Sequence, residues 1–274
     1  MADIGATFRD LHRPGDPFIL ANAWDAGSAK MLVAMGAPAI ATSSGAHAFT
    51  IGRPDMGTIT RDEALAHASD LVAAVNVPVS GDFENGFGEA PETVAETVRL
   101  AAEAGLAGIC IEDTALPDHG AYEFDLAVER IRAATAAARA LPRDFMLVAR
   151  ADGVLTGAYD HAESLRRVLA FEGAGADCVY VPLPKQVSDL AAICSAVNVP
   201  VNALVAGPIY SKVTRADFAA MGVARLSLGA ALARVTHRAI LDTASPMFDA
   251  GDFSGLSHAL PASELDPMLT GGQS

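Results

Sequence analysis

Positive charge, cysteine and aromatic side chains are all scarce in this chain, and each shortage excludes something. Against 33 Asp and Glu residues there are only 19 Lys and Arg, a formal net charge of −14. A field of that sign repels phosphate backbones and anionic headgroups, which argues against nucleic acid and against membranes as partners. An anionic ligand would need a local positive centre: a bound metal, an arginine or a cluster of backbone N–H groups. No stretch offers about 18 uncharged apolar residues in a row. The opening MADIGATFRDLHRPGDP carries acids and bases where a secretory leader needs an apolar segment. The three cysteines, Cys110, Cys178 and Cys194, have no C-x-x-C spacing and lie in apolar runs. They read as buried thiols and point to a reducing cytoplasm. Trp24 is the single tryptophan, and a lone aromatic more often packs than binds.

What is present is small and aliphatic: hydrophobic residues make up 51% of the chain, with 24 glycines. Short β-branched or apolar runs alternate with longer alanine-rich stretches of helical period, the pattern of βα units around a parallel sheet. Strands are predicted at 18–21, 39–43, 77–81, 108–111, 146–149, 178–181, 201–204 and 225–228. That number closes a (β/α)₈ barrel. A recurrent junction supports it. In VAMGAPAIA, AEAGLAGICI, FEGAGADCVYV and AAMGVARLSL, a glycine stands where a helix must end in a left-handed cap and a strand follows at once. No linker divides the chain, so residues 1–230 are expected to form one barrel domain. Residues 231–274 follow as a C-terminal extension and oligomer contact, with a helix over 230–243, then a polar, turn-rich stretch ending in a mobile tail.

In a parallel barrel the chemistry sits where strands end, and here those ends are acidic. SGDFENGFG places Asp82 and Glu84 two residues apart, CIEDT gives Glu112 and Asp113, and VARAD gives Arg150 and Asp152. Carboxylates crowded at one mouth repel one another unless a cation neutralises them. Oxygen-only donors without a histidine or cysteine set favour Mg²⁺, with Mn²⁺ as a substitute. The plainer alternative is that these acids cap helices or pair with bases. Arg150 could grip a substrate carboxylate or simply bridge to Asp152 or Glu112, and both readings stand. Ser43, Ser44, Gly45 and Ala46 could offer donors to an oxyanion, although a tight turn looks the same. Asp55, in a polar loop, and Asn202, on the seventh strand, are weaker candidates, and Asn85, Gly86 and Gly88 form a turn after Glu84. His47 and His119 have no partner spacing that marks a triad or metal site.

At NAWDAGSA, TSSG, GRPDMG, GDFENGFG, GICIEDT, VARAD and PVN, in that order from Asn22 onward, the chain resembles the isocitrate lyase and phosphoenolpyruvate mutase family. The resemblance implies that Asp82 and Glu84 hold Mg²⁺, directly or through water, with Glu112 completing the set. Ser44, Gly45 and Ala46 would receive the substrate's carboxylate, Arg150 an anionic oxygen, and Asp55 would approach the metal's water shell. It also implies a homo-oligomer, a dimer or tetramer. The family's common chemistry passes through an enolate of a 2-oxo acid. In the lid, Thr114–Phe124 reads TALPDHGAYEF, with neither the K-[KR]-C-G-H of the lyases nor the P-K-T-N of the phosphonate mutase. Asp118, His119 and Tyr122 are candidate acids there only by elimination, and solvated loop residues are the plainer reading. The expectation is a Mg²⁺-dependent lyase of a small 2-oxo or 2-hydroxy carboxylate, by C–C cleavage or decarboxylation. The alternatives are C–P chemistry of the phosphonopyruvate hydrolase or mutase kind, and a non-catalytic carboxylate-binding barrel.

Overall fold

A computed structural model describes residues 3–271. Eight parallel strands close into a ring, each paired with its neighbours in sequence: β1 (Phe18–Asn22), β2 (Ile40–Ala41), β3 (Val79–Asp82), β4 (Gly108–Glu112), β5 (Met146–Arg150), β6 (Cys178–Tyr180), β7 (Val201–Leu204) and β8 (Arg225–Ser227). All eight coincide with predicted runs, with ends that differ by at most two residues. The four junction glycines, Gly36, Gly105, Gly175 and Gly222, have φ of 97°, 91°, 95° and 89°, the left-handed caps the sequence demanded.

Strand alternation decides what faces the lumen. On β4, Ile109 and Ile111 pack outward on the helices, while Cys110 joins an inner cluster with Met146 and Val148 of β5 and Cys178 and Tyr180 of β6. The same alternation turns Glu112 and Arg150, the last residues of β4 and β5, inward at the C-terminal mouth. The opposite end is plugged by α1 (Ile4–Asp10), whose Phe8 stacks edge-on with His12 and Phe18.

After β2 comes the short α3 (Ser44–Thr50), capped by Ser43. Between β4 and α6 (Phe124–Arg139) a two-stranded hairpin pairs Thr114–Ala115 with Gly120–Ala121, forming the lid. α4 (Arg61–Ala74) precedes β3 and α5 (Pro91–Glu103) follows it; α7 (Gly153–Thr156) and α8 (His161–Gly173) follow β5, α9 (Val187–Ala196) follows β6, and α10 (Gly207–Tyr210) and α11 (Arg215–Ala220) follow β7. The last long helix, α12 (Ala231–Ala250), is longer than expected and continues through Pro246. Beyond it, α13 (Ala262–Thr270) is a helix where a turn-rich stretch was expected, and it packs on α2 (Ala26–Ala34). Residues 272–274 of the expected tail lie outside the described residues.

Candidate active site at the barrel mouth

The parallel register brings the acidic strand ends side by side: Asp82 is level with Cys110, Glu112 with Arg150, and Arg150 with Tyr180. Arg150 is the hub. Its Nη1 reaches Asp82 Oδ1 at 2.9 Å and Glu112 Oε2 at 3.2 Å, and its Nη2 reaches Asp152 Oδ2 at 2.7 Å. The guanidinium also lies 5.2 Å from the centre of the Tyr180 ring. Asp82 is doubly committed, since its Oδ2 accepts from the backbone N–H and the hydroxyl of Ser44, both at 3.0 Å. The contacts are those of the bridging reading of Arg150, and the same side chain lines a cavity.

That cavity encloses about 150 Å³. At roughly 30 Å³ per water it holds about five waters, or one small carboxylic acid. Ser43, Ser44, Asp55, Asp82 and Arg150 line it, and so do Tyr180, Arg225, Ser227 and Asn22, which no local signal in the sequence marks, and Cys110, which reads there as a buried thiol. Cys110 is indeed buried, and its thiol donates to Asp82 Oδ1 at 3.4 Å. Burial and the Asp82 charge push that thiol up to about 12, so it stays protonated. Asn22 accepts from the N–H groups of Leu228 and Gly229 at 2.8 and 2.9 Å, and its amide donates to Thr42 O, tying three strand ends together.

Asn202 is fully buried, with its amide donating to Ser227 Oγ and its carbonyl accepting from Arg225 Nε at 2.7 Å. It meets the cavity through those two partners. Gly45 lets Asp55 approach closely, because a Cβ there would come within 2.4 Å of Asp55 Oδ2 and push that side chain aside. Glu84 faces elsewhere. Its backbone is left-handed, at φ 45°, and its Oε1 accepts from Gly57 N at 2.9 Å. It lines a neighbouring, larger cavity of about 640 Å³, beside Asn85, Tyr122 and the lid residues Leu116, Pro117 and Asp118. Among the lid candidates Tyr122 is buried and accepts from the Asn85 amide at 2.9 Å, whereas Asp118 and His119 are exposed. His47 is buried and stacked on His67 with ring centres 4.0 Å apart, and the two line another pocket with Trp24 and Asp25.

The electrostatics are those of surplus buried acid. Burial, reinforced by Asp82 and Asp55, pushes Glu84 up to about 7. Burial raises Asp152 to about 6 and Glu112 well above the carboxylate range, in both cases against the pull of Arg150. A divalent cation fits this donor set: the donors are oxygens, and one guanidinium faces several acids. Among the described residues no three His, Cys, Asp or Glu side chains converge to hold an ion by themselves. Such an ion would take part of its shell from water, as Mg²⁺ commonly does.

A closed parallel barrel with buried acids gathered round one arginine at its C-terminal mouth defines the class: a (β/α)₈-barrel enzyme. Comparison with known proteins then gives the family. The phosphoenolpyruvate phosphomutase family model matches residues 8–248, and the chain belongs to that family, within the isocitrate lyase and phosphoenolpyruvate mutase superfamily of lyases and mutases. An uncharacterised Mycobacterium tuberculosis protein is 34% identical over 96% of each chain. The 2-methylisocitrate lyase of Escherichia coli K12 is 30% identical over 72% of this chain and 68% of that enzyme. A solved Burkholderia cenocepacia J2315 protein regarded as a lyase or mutase superposes with a TM-score of 0.91 at 44% identity, covering 97% of this chain and 95% of that one.

Proposed function

We propose that the chain is a Mg²⁺-dependent lyase that breaks a carbon–carbon bond in a small 2-oxo or 2-hydroxy carboxylate, by aldol-type cleavage or decarboxylation. The observation that carries this reading is the 150 Å³ cavity walled by Asp82, Ser44 and Arg150, which is sized for such an acid and polar where one would be gripped. Mg²⁺, or Mn²⁺ in its place, would be held by Asp82, Glu84 and Glu112 in part through water, since Glu84 faces the neighbouring cavity, and would supply Lewis acidity to a substrate carbonyl oxygen. Ser44, Gly45 and Ala46 at the start of α3 receive the substrate carboxylate, with Gly45 leaving room beside Asp55. Arg150, immobilised by three acids, sets a fixed positive charge where an oxyanion develops. Asp55 and Glu112 flank the reacting centre as candidate proton carriers, and Asn202 acts through Ser227 and Arg225.

Calorimetric titration of oxalate, an enolpyruvate mimic, with and without Mg²⁺ tests the reading. Metal-dependent binding lost in both Asp82→Ala and Arg150→Ala supports it, and binding that is absent, or unchanged by either substitution, removes it. A second reading, C–P chemistry, is favoured by the family model itself. Phosphate release from phosphonopyruvate decides between the two.

We further propose a homo-oligomer, dimer or tetramer, formed through residues 231–270. α12 exposes Val235, Ile240, Leu241 and Phe248, the last at 87%. A cytoplasmic location would keep the free thiols of Cys110, Cys178 and Cys194 reduced. Among the described residues no helix is long and apolar enough to cross a membrane.

A further inference from the structure

Arg130, in the middle of α6, is 1% exposed, and it heads the fully buried side chains by volume. Of the other arginines near the mouth, Arg225 meets Asn202 and His12, whereas Arg150 bridges three acids and Arg167 bridges two, Asp113 and Glu163. Arg130 meets none in contact. Its Nη1 donates to the carbonyls of Gly88 and Glu89, and its Nη2 to the carbonyl of Asn85. Its guanidinium carbon stands 4.1 Å from the centre of the Tyr122 ring. A buried cation with only neutral partners is costly, so what it holds together matters.

It holds the loop that follows β3. Within four residues that loop takes three left-handed conformations, at Glu84, Gly86 and Phe87, with φ of 45°, 80° and 62°. Two of these are not glycine, and a non-glycine residue there is strained unless the surroundings enforce it. The turn also points the carbonyls of Asn85, Gly88 and Glu89 at the Arg130 side chain, and the planar fork of a guanidinium can satisfy three at once. Tyr122, stacked on the same guanidinium, accepts from the Asn85 amide, and Asn85 Oδ1 in turn accepts from Phe87 N at 3.0 Å. The end product of this chain of contacts is the Glu84 carboxylate fixed against Gly57 N.

We infer that Arg130 is a positioning residue, an internal cation that clamps the loop from Asn85 to Glu89 and thereby sets Glu84 at the edge of the site. Its functional half rests on the reading of Glu84 as part of the metal-holding set; its structural half does not. The test uses the full chain and two measurements. In metal-free Arg130→Met, hydrogen exchange at the Gly57 and Phe87 amides is expected to quicken by about tenfold or more, as single hydrogen bonds are lost, with the α6 amides unchanged. Non-denaturing guanidinium chloride slows it again by refilling the gap. Gly57 exchange equal to native overturns the inference, because Glu84 would then keep its place without Arg130.

Second, calorimetric Mn²⁺ affinity in the presence of oxalate is expected to fall about tenfold in the folded variant and to recover with guanidinium. A variant that is merely less stable would keep native affinity once folded, and that result also overturns the inference. If the native chain binds no Mn²⁺ and oxalate, the proposed function fails, while the exchange data still decide the clamp. Should Arg130→Met not fold, Arg130→Lys is read instead. An ammonium cannot span the three carbonyls, so the same loosening is expected, and native exchange in that variant overturns the clamp.

Discussion

Replacing Arg167 by Met should expose how the mouth is braced. Arg167, on α8, is 5% exposed and Asp113 is 2% exposed, and their charges meet at 3.0 Å. Asp113 also accepts from Tyr159 Oη at 2.7 Å and from Asp152 N at 2.8 Å. Asp152 in turn holds Arg150, so the brace runs from α8 through the ends of β4 and β5 to the hub of the site. Methionine keeps the aliphatic packing of the arginine stem but leaves Asp113 buried with hydrogen bonds and no counter-ion. Breaking a buried pair on one side costs about 3–5 kcal/mol. The lost stacking over Tyr159, at 4.7 Å, adds about 0.5–1 kcal/mol. The half-exposed arm to Glu163 adds only a few tenths, roughly 0.3–0.5 kcal/mol. For a chain of this size each kcal/mol lowers Tm by about 2–4 °C, so a drop of roughly 8–26 °C is expected. Urea denaturation in EDTA gives the free energy directly. Adding Asp113→Asn to the variant removes the stranded charge, with the amide oxygen still accepting from Asp152 N–H and the amide NH2 donating to the Tyr159 hydroxyl, which turns to accept, and should restore about 2 kcal/mol. A single variant within about 1 kcal/mol of native, or a double variant no better than the single, would refute the claim that this buried ion pair braces the mouth.

Other consequences are equally direct. Burial first, then the charge of Arg225, holds His12 down to about 3. A histidine that resists protonation only when folded contributes stability that is whole above about pH 6.5 and is lost as pH falls toward 3. Between pH 6.5 and 5 this amounts to about 2 kcal/mol, and His12→Leu should flatten that part of the denaturation profile relative to native. An unchanged slope would mean His12 is protonated in the folded chain. Gly45→Ala, which forces a Cβ to within 2.4 Å of Asp55, should cost about 1–3 kcal/mol and weaken Mg²⁺-dependent oxalate binding; native affinity in calorimetry would show that the two loops separate freely. Phe248→Glu on the exposed face of α12 should lower the mass seen by light scattering without changing the far-ultraviolet spectrum, and an unchanged mass would place the contact elsewhere.

The sequence by itself determined the barrel and the chemical character of its mouth. β-branched runs, alanine-rich helical stretches and four glycine caps are local signals, because backbone sterics and short-range periodicity act within a few residues. Asp82, Glu112 and Arg150 were legible because a strand's last residues lie at the mouth whatever the rest of the chain does. Only the tertiary structure decided which neighbours each of them acquires. The pairing of Asp82 with Arg150 spans 68 residues of chain, and the clamp of Arg130 on Asn85 spans 45. Arg225 and Tyr180 stood unnoticed inside ordinary apolar strand runs, since nothing local reveals that a strand's inward face opens on a cavity and not on packed side chains. Glu84, two residues from Asp82, reads as its companion, yet the left-handed turn directs it to a second cavity. Asn202 reads as a weaker candidate for the site, and its side chain is bonded to both Arg225 and Ser227. Such contacts depend on register and on loop closure across the whole ring, and no short stretch of sequence encodes either.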